Sequence, residues 1–202
     1  MSPAIQPARP GWAGELARIH HQALPDDFLP SLGRDFLERV YYPAALRSPH
    51  AATLAALDEA GRPAGFVTVA HDSAAFTRDV VGGRAGVLAR YAVRAALRDP
   101  RHLLTSARVA WAALASPADP LPGEIVFIAV DARLRGRGTG KALVRAALGY
   151  LLTRGVGRCR TKTLAANHGV IGMYRSLGWE VRNRLRQIGR EYVVLASPEP
   201  RA

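Results

Sequence analysis

Apolar residues recur along this chain at two spacings, and the changes from one spacing to the other predict the order of its elements. Residues 4–9 fit a short strand, and a helix is predicted to follow, with its apolar face at Trp12, Leu16, Ile19 and Ala23. A second helix is predicted at residues 29–40, ending before Pro43 because proline cannot continue a helix. Residues 53–57 and 65–70 then flank a polar turn, which is typical of a β-hairpin.

Between this hairpin and the next apolar strand, about 45 residues carry helical patterns. One pattern begins near Val87, and another covers residues 103–114 after the capping pair Asp99-Pro100. We treat residues 73–116 as a helical insertion with three open interpretations. It thickens the core or forms a dimer contact, it covers a substrate site as a lid, or it lies on a membrane as a basic amphipathic helix.

The C-terminal half of the chain alternates strands with helices. Residues 125–130 form a continuous apolar run, which predicts a strand buried on both faces. A helix with one apolar face follows, then a strand at 159–164, a helix at 170–177 and a closing hairpin at 179–187 and 191–195. The predicted fold class is therefore α/β, with a mixed, mostly antiparallel sheet flanked by helices.

Length and composition limit the number of domains. A chain of 202 residues with 49% hydrophobic content can bury one substantial core. We expect a single domain over residues 1–202, with a short disordered tail at 197–202. The single cysteine, Cys159, excludes an intramolecular disulfide framework. The sequence has no run of about 18 apolar residues and no apolar signal segment at its N-terminus, so we expect a soluble, cytoplasmic protein without a membrane span.

The net charge of +12 raises the question of a nucleic-acid partner. The basic residues are almost all arginines, because only Lys141 and Lys162 are lysines, and they are scattered from Arg9 to Arg201 rather than clustered. Basicity alone indicates non-specific attraction to polyanions. We expect no specific nucleic-acid partner and keep an arginine-rich nucleic-acid binder as an alternative function.

The most informative segment is the run 130–141, Val-Asp-Ala-Arg-Leu-Arg-Gly-Arg-Gly-Thr-Gly-Lys, between an apolar strand and an amphipathic helix. Its glycines let the backbone turn sharply and direct N–H groups at an anion, and the following helix adds the positive end of its dipole. The run therefore predicts a phosphate site. A Walker A loop is excluded, because Arg135 and Ala142 stand where glycine and serine or threonine are needed. A dinucleotide fingerprint is excluded because Lys141 replaces its third glycine.

Two motifs together resemble those of the GNAT superfamily of acyl-CoA-dependent N-acetyltransferases. Arg135, Gly138 and Gly140 match the acyl-CoA loop of that superfamily. The residues that match its second signature, at the expected separations, are Asn167, Tyr174, Gly178 and Trp179. The resemblance is specific over residues 124–195, and the first 120 or so residues match only in outline.

The resemblance implies where coenzyme A binds. In this superfamily the strand before the glycine loop and the strand after its helix splay apart, here 125–130 and 159–164, and the pantetheine arm lies in the gap. Backbone groups of Ile128 and Val130 would hydrogen-bond the arm, and Asn167 would contact it or act as a helix N-cap. The residues that would surround the pyrophosphate are Arg135, Gly136, Arg137, Gly138, Thr139, Gly140 and Lys141.

The resemblance also implies two catalytic residues. Tyr174 matches the general acid beside the thioester sulfur, and the alternative is a core tyrosine. An amine of pKa about 10 is roughly 0.1% neutral at pH 7, so a base must take its proton before it attacks. Glu124 matches the glutamate that is this base in histone-acetyltransferase-type members, and the alternative is an exposed carboxylate at a strand start. His71 is a second candidate base because histidine titrates near neutrality.

The expected activity is transfer of an acetyl group from acetyl-CoA to a primary amine by direct attack in a ternary complex. His20, His21, Asp26 and Asp27 fall where the superfamily shapes its acceptor site, but they equally suit loop caps. The histidines and Cys159 lack metal-ligand spacing, so no metal site is expected. A small-molecule amine is the expected acceptor, with a protein amine and a homodimer left open. The alternative within the same fold is a non-catalytic acyl-CoA sensor or scaffold.

Overall fold

The computed structural model describes residues 3–25, 27–98, 121–187 and 189–199 of the chain. The helix predicted at 103–114 and its capping pair at 99–100 lie outside the described residues. Asp26 and residues 200–202 of the predicted tail also lie outside them.

The described strands are β1 (Ile5–Pro7), β2 (Ala51–Leu57), β3 (Pro63–Ala70), β4 (Gly123–Val130), β5 (Cys159–Leu164), β6 (Glu180–Gln187) and β7 (Arg190–Ala196). They form one sheet in the order β1-β2-β3-β4-β5-β7-β6. Neighbouring strands are antiparallel except β4 and β5, which are parallel. The mixed, mostly antiparallel sheet is thus confirmed.

Helices cover both faces of the sheet. They are α1 (Ala13–Ala23), α2 (Phe28–Ser31), α3 (Arg34–Phe36), α4 (Tyr42–Ala45), α5 (Ser73–Val81), α6 (Ala85–Arg98), α7 (Thr139–Thr153) and α8 (His168–Arg175). Short 3-10 turns lie at Pro10–Trp12 and Ala132–Leu134. We name the two sides of the sheet the α7 face, covered by α7 and α8, and the α1 face, covered by the earlier helices.

Each face has its own apolar core. The core of the α7 face includes Val67, Val69, Ile125, Leu143, Leu151, Tyr174 and Leu195. The core of the α1 face includes Leu16, Ile19, Phe36, Tyr42, Phe66 and Phe76. Burial of these large side chains is the main stabilising contribution, because apolar burial supplies about 25 cal/mol per Å².

The second predicted helix is not continuous. Gly33 interrupts it after α2 with φ 104°, a backbone conformation that side chains other than glycine adopt only with strain. Helix α3 then continues into a π-helical turn at Leu37–Tyr41 and into α4, which contains Pro43. The predicted end before Pro43 is wrong. Pro43 lies in the first turn of α4, where its missing N–H costs little.

The described part of the predicted insertion is helical. Asp72 caps α5 by accepting a hydrogen bond from Ala75 N–H at 2.9 Å. In α6, Ala95 is buried and the hydroxyl of Tyr91 donates to Asp35 Oδ2 at 2.6 Å. Helix α6 therefore packs on α3 and adds to the core of the α1 face.

Strand β4 is less buried than its apolar sequence predicts. Ile125 and Ala129 are buried, whereas the other apolar residues, Val126, Phe127, Ile128 and Val130, remain partly exposed. Thr68 of β3 pairs with Phe127, while the next residue pairs with Ile125, so Val126 is the extra residue of a β-bulge. The prediction of burial on both faces is wrong because β4 contains this bulge and borders a gap in the sheet.

The C-terminal tail begins later than predicted. Ser197 is buried, its N–H donates to Cys159 O at 2.8 Å, and its hydroxyl oxygen accepts from Cys159 N–H at 3.0 Å. These bonds extend the pairing of β7 with β5 by one residue. The disordered tail predicted at 197–202 is therefore wrong at Ser197.

Candidate functional site

Strands β4 and β5 pair at their first residues and then separate. The paired residues are Gly123 with Cys159, Glu124 with Arg160, and Ile125 with Thr161. At the last pair, Thr161 Oγ1 also donates to Ile125 O at 3.0 Å. Beyond it a gap opens between residues 126–130 of β4 and 162–164 of β5. The structure thus has the predicted splay between these two strands.

The backbone of β4 presents hydrogen-bonding groups to this gap. Asp131 N–H donates to Ala64 O of β3 at 2.8 Å, so Asp131 faces β3. Residues of an antiparallel strand face opposite neighbours in alternation. Ile128 and Val130 therefore direct their N–H and C=O groups away from β3 and into the gap. The binding role of these two residues stays a prediction.

The glycine loop, residues 135–141, lies at the open end of this gap. Gly136 and Gly138 have φ 75° and 81°, where a Cβ atom would be strained. Gly138 is the N-cap of α7, and the first intrahelical bond runs from Ala142 N–H to Gly138 O at 3.0 Å. The N–H groups of residues 139–141 precede that bond, so they are available to an anion at the positive end of the helix.

Thr139 and Gly140 also shape the loop through their own packing. Thr139 is buried, and its hydroxyl donates to Leu134 O at 3.3 Å. A Cβ atom at Gly140 would lie 2.8 Å from Met173 Sδ of α8. Gly140 thus allows α7 and α8 to pack closely, whereas Gly136 and Gly138 provide the turn.

Three cations surround the loop. Arg135 Nε donates to Val130 O at 3.1 Å, which holds the guanidinium beside the gap. Arg137 is exposed, and Lys141 is half-buried in the first turn of α7. Positive charge and unpaired helix N–H groups therefore occur at one place, as the sequence predicts for a phosphate site.

Asp131 organises this loop, and sequence reasoning missed it. Its carboxylate accepts from Arg133 Nε and Nη2 at 3.1 and 3.0 Å, and from Arg18 Nη1 of α1 at 3.3 Å. The hydrogen bonds from Arg133 hold the pKa of Asp131 well below its usual range. Asp131 thus ties the end of β4 to α1. Its partner Arg18 is 113 residues away, so no local pattern could indicate the contact.

Asn167 is the N-cap of α8. Its Oδ1 accepts a hydrogen bond from Val170 N–H at 3.3 Å. The capping interpretation of Asn167 is confirmed, and its binding role stays a prediction. The cap uses the carbonyl oxygen of the amide, so the NH₂ group is not needed for it.

Tyr174 is fully buried in the core of the α7 face, with its ring centroid 4.7 Å from that of Trp179. Its hydroxyl has no hydrogen-bond partner among the described residues. Burial raises the pKa of Tyr174, and the nearby hydroxyl of Thr161 opposes the rise. Because Thr161 belongs to the last pair of β4 with β5, the Tyr174 hydroxyl lies near the closed end of the gap.

Glu124 lies on the α1 face, because its neighbour Ile125 belongs to the core of the α7 face. Its Oε2 accepts a hydrogen bond from Arg160 Nη2 at 2.8 Å, and the same nitrogen donates to Ser73 Oγ at 3.3 Å. The side chains of Glu124 and Arg160 are each 21% exposed. The alternative of an exposed carboxylate is therefore wrong. Sequence reasoning missed Arg160, whose position is set by the register of β5 on β4.

Comparison with known proteins points in the same direction. Residues 105–179 match the model of the acetyltransferase (GNAT) family. The structure resembles that of a ribosomal-protein-S18-alanine N-acetyltransferase from Escherichia coli, with 14% identity, 98% of this chain and 95% of that chain covered, and a TM-score of 0.62. The chain has the fold of this acetyltransferase, and its residues 105–179 resemble the GNAT family. Proteins of that family generally use acetyl-CoA as their cosubstrate.

Other acetyltransferases share the fold at low sequence identity. A structure described as histone acetyltransferase HPA2 and related acetyltransferase, from Corynebacterium glutamicum, is 14% identical, with 100% and 99% of the two chains covered and a TM-score of 0.61. An N-acetyltransferase from Staphylococcus aureus is 13% identical, with 97% and 98% covered and a TM-score of 0.62. A search of the curated proteins gives no significant match.

The second candidate base, His71, lies on the other face of the sheet from Glu124. His71 Nδ1 shares a hydrogen bond with the hydroxyl of Tyr150 in α7, at 3.1 Å. Burial lowers the pKa of His71, and the charges of Arg154 and His50 add to this effect. The structure therefore does not bring His71 and Glu124 together.

The histidines of α1 have structural partners. His20 is buried, its Nδ1 shares a 3.0 Å hydrogen bond with the hydroxyl of Tyr42, and its ring centroid is 4.5 Å from that of Phe127. Burial lowers the pKa of His20 to about 3. His21 Nδ1 lies 3.2 Å from Pro30 O. Both histidines thus have a partner on Nδ1 that helps to hold α1 in place.

The described part of the chain contains neither a cluster of metal-binding side chains nor a membrane-spanning helix. Within the described ranges, no three histidine, cysteine, aspartate or glutamate side chains cluster in a way that could hold a metal ion. None of the helices that the structure describes is long and apolar enough to cross a membrane.

Proposed function

We propose that this protein transfers an acetyl group from acetyl-CoA to a primary amine, by direct attack of the amine in a ternary complex. The observation that carries the proposal is the gap between β4 and β5, with the backbone groups of Ile128 and Val130 directed into it. An extended pantetheine arm fits such a gap as an additional strand, because unpaired backbone groups on a strand edge bind extended chains.

The glycine loop supplies the phosphate end of the donor site. N–H groups of residues 139–141 bind pyrophosphate oxygens, and Arg135, Arg137 and Lys141 contribute charge. The NH₂ group of Asn167 remains available to the pantetheine arm, because the N-cap bond occupies only its carbonyl oxygen. Each of these groups comes from this chain, so the residues present fit acetyl-CoA.

Glu124 accepts the proton of the acceptor ammonium, directly or through one water. Arg160 occupies its Oε2, which leaves Oε1 for the proton and fixes the orientation of the carboxylate. Arg160 is therefore a positioning residue. The neutral amine then attacks the thioester carbon, forming the C–N bond as the C–S bond breaks. The proton that the nitrogen loses in this step passes to the departing thiolate or to solvent.

Backbone and side-chain donors assist this step. The N–H of Ile128, directed into the gap, stabilises the negative charge that develops on the carbonyl oxygen. The hydroxyl of Tyr174 remains protonated, because burial raises its pKa, and donates to the departing sulfur. A thiol of pKa about 8.5 leaves readily as thiolate near neutral pH, so this donation is helpful rather than essential.

The first experiment is calorimetric titration of the protein with acetyl-CoA and with CoA. Arg135→Ala with Gly138→Asp removes a cation from the loop and places a carboxylate at the helix N-cap. We expect micromolar binding by the wild type and none by this double variant. A matched control, Arg39→Ala with Gly86→Asp, makes the same charge change at an exposed arginine and at a glycine whose added Cβ meets nothing.

Screening for CoA release with amines, small molecules first and protein amines second, then separates catalysis from binding. Binding without acceptor-dependent CoA release would favour the non-catalytic sensor or scaffold. Failure of the wild type to bind either ligand would contradict the donor site. Steeply salt-dependent binding to duplex in that case would favour the nucleic-acid alternative.

A further inference from the structure

A charged surface lies on the α1 face beside the gap. Cys159 belongs to the core of the α7 face, so alternation along β5 places Arg160 and Lys162 on the opposite face. Lys162 is the first residue of β5 beyond its last pair with β4. We define the cleft cluster as Asp27, Glu124, Arg160, Lys162, Gln187 and Tyr192.

Lysine is rare in this chain. Of 28 lysines and arginines, only Lys141 and Lys162 are lysines. The first lies in the glycine loop and the second in the cleft cluster, so both are beside the gap. An ammonium is a compact charge with three donors, whereas a guanidinium is a broad planar fork. A chain that uses arginine almost everywhere else therefore has the compact cation at this position.

The neighbours of Lys162 orient its ammonium without neutralising it. Nζ donates to Gln187 Oε1 at 2.9 Å and lies 5.2 Å from the centroid of the Tyr192 ring. Among the described residues, no carboxylate lies within salt-bridge distance of Nζ. Glu124, by contrast, is paired with Arg160 at 2.8 Å.

The surroundings of Lys162 disfavour the charged form of its ammonium. The Lys162 residue is exposed to solvent, yet protein atoms close to the ammonium desolvate it in part and lower the pKa of Lys162. The charges of Glu124 and Asp27 oppose this effect, and the charge of Arg160 adds to it. An anion bound against Nζ would stabilise the charged ammonium, because opposite charges at short range favour the charged form of both groups.

We propose that the acceptor carries a negatively charged group in addition to its amine, and that Lys162 binds that group. The inference rests on the proposed function. Gln187 accepts one of the three N–H donors of the ammonium, and the other two are directed to the anion. Carboxylates and phosphates share this chemistry, and Glu124 receives the amine end of the same acceptor.

The test compares pairs of acceptors that differ in the anionic group. CoA release from acetyl-CoA is measured with ω-amino acids, from glycine and β-alanine upwards, and with their amides, which keep the amine and the chain length. At one chain length we expect the amino acid to have a kcat/KM about tenfold above that of its amide, the size of one charge-assisted hydrogen bond. O-phosphoethanolamine against ethanolamine tests the phosphate in the same way.

In the variant Lys162→Met, we expect the kcat/KM values for the amino acid and for its amide to lie within about twofold of each other. The change should come from a higher KM for the amino acid. The control is Arg184→Met, which makes the same charge change on β6, where Arg184 pairs with Glu191 at 3.2 Å. We expect the Arg184→Met control to keep the wild-type ratio of kcat/KM between the amino acid and its amide. Equal kcat/KM for charged and neutral acceptors in an active enzyme overturns the inference and leaves the proposed function intact. Absence of CoA release with every amine overturns both.

Discussion

In the proposed function, mostly backbone groups form the donor side of the gap, and side chains form its acceptor side. Most of the donor side comes from one stretch of chain, residues 128–141, in which glycines and a strand edge are the essential features, and α8 with its N-cap adds Asn167 and Tyr174. The cleft cluster comes from five separate segments, namely the loop before α2 and the strands β4, β5, β6 and β7. A backbone site tolerates many side chains provided that its geometry is kept, so substitutions should affect the two sides differently.

The largest expected effect is on the acceptor side. Glu124→Gln should lower kcat/KM by about a hundredfold to ten-thousandfold near neutral pH, because no group then removes the proton of the acceptor. The loss should shrink as pH rises and more of the amine is neutral. A pH–rate profile measures both effects, and calorimetry with acetyl-CoA should show unchanged affinity.

Glu199→Gln is the matched control, because that carboxylate is 78% exposed and pairs with Arg158. It should keep wild-type kinetics. A Glu124→Gln enzyme within threefold of the wild type across the pH range would show that Glu124 serves only to hold Arg160.

On the donor side, Tyr174→Phe should act on activity and stability in opposite directions. Loss of the hydroxyl should lower kcat by about tenfold to a hundredfold, because the thiolate leaves without help. The same change removes a buried hydroxyl that has no partner among the described residues, so the free energy of unfolding should rise by about 1 kcal/mol. Denaturant unfolding and steady-state kinetics measure the two effects, and a fall in both would contradict the placement of Tyr174.

The sequence was sufficient to predict the glycine loop, the splayed strands and most of the fold. The glycine loop has a local cause, since positive φ at Gly136 and Gly138 requires glycine. The strands and α7 were predicted from the spacing of their apolar residues, and burial of those residues in the two cores stabilises these elements. The reason for Gly140 was not visible, because its contact with Met173 depends on how two helices pack.

The acceptor side was less predictable because its contacts join distant residues. Arg160 meets Glu124 only through the parallel register of β4 and β5, and Lys162 of β5 meets Gln187 of β6 across the intervening strand β7. The predicted helix end before Pro43 failed because a π-helical turn precedes a new first turn at that proline. Local propensity does not specify such a turn, whereas tertiary packing can.

A smaller effect concerns the core of the acceptor side. His20 has a pKa of about 3 in the folded protein against an ordinary value of 6.5. As pH falls below 6.5, the unfolded chain binds a proton here and the folded protein does not, so stability present above 6.5 is lost progressively down to about pH 3. At about pH 5 the loss should reach about 2 kcal/mol.

Replacing His20 with leucine should flatten this dependence between about pH 7 and pH 5, as measured by denaturant unfolding at each pH. His168→Leu, which removes an exposed imidazole, should keep the wild-type slope. If the leucine variant at position 20 also keeps that slope, another group is responsible for the acid sensitivity.

The smallest expected effect separates the two roles of Asn167 on the donor side. Asn167→Ala removes the N-cap of α8 and should lower the free energy of unfolding by about 1 kcal/mol. Asn167→Asp keeps an acceptor for Val170 N–H and should restore stability, but it lacks the NH₂ donor. If that donor binds the pantetheine arm, calorimetry should show weaker acetyl-CoA binding by both variants. If Asn167 is a cap alone, the aspartate variant should bind as the wild type does, and the donor side would then depend on backbone groups more completely than we propose.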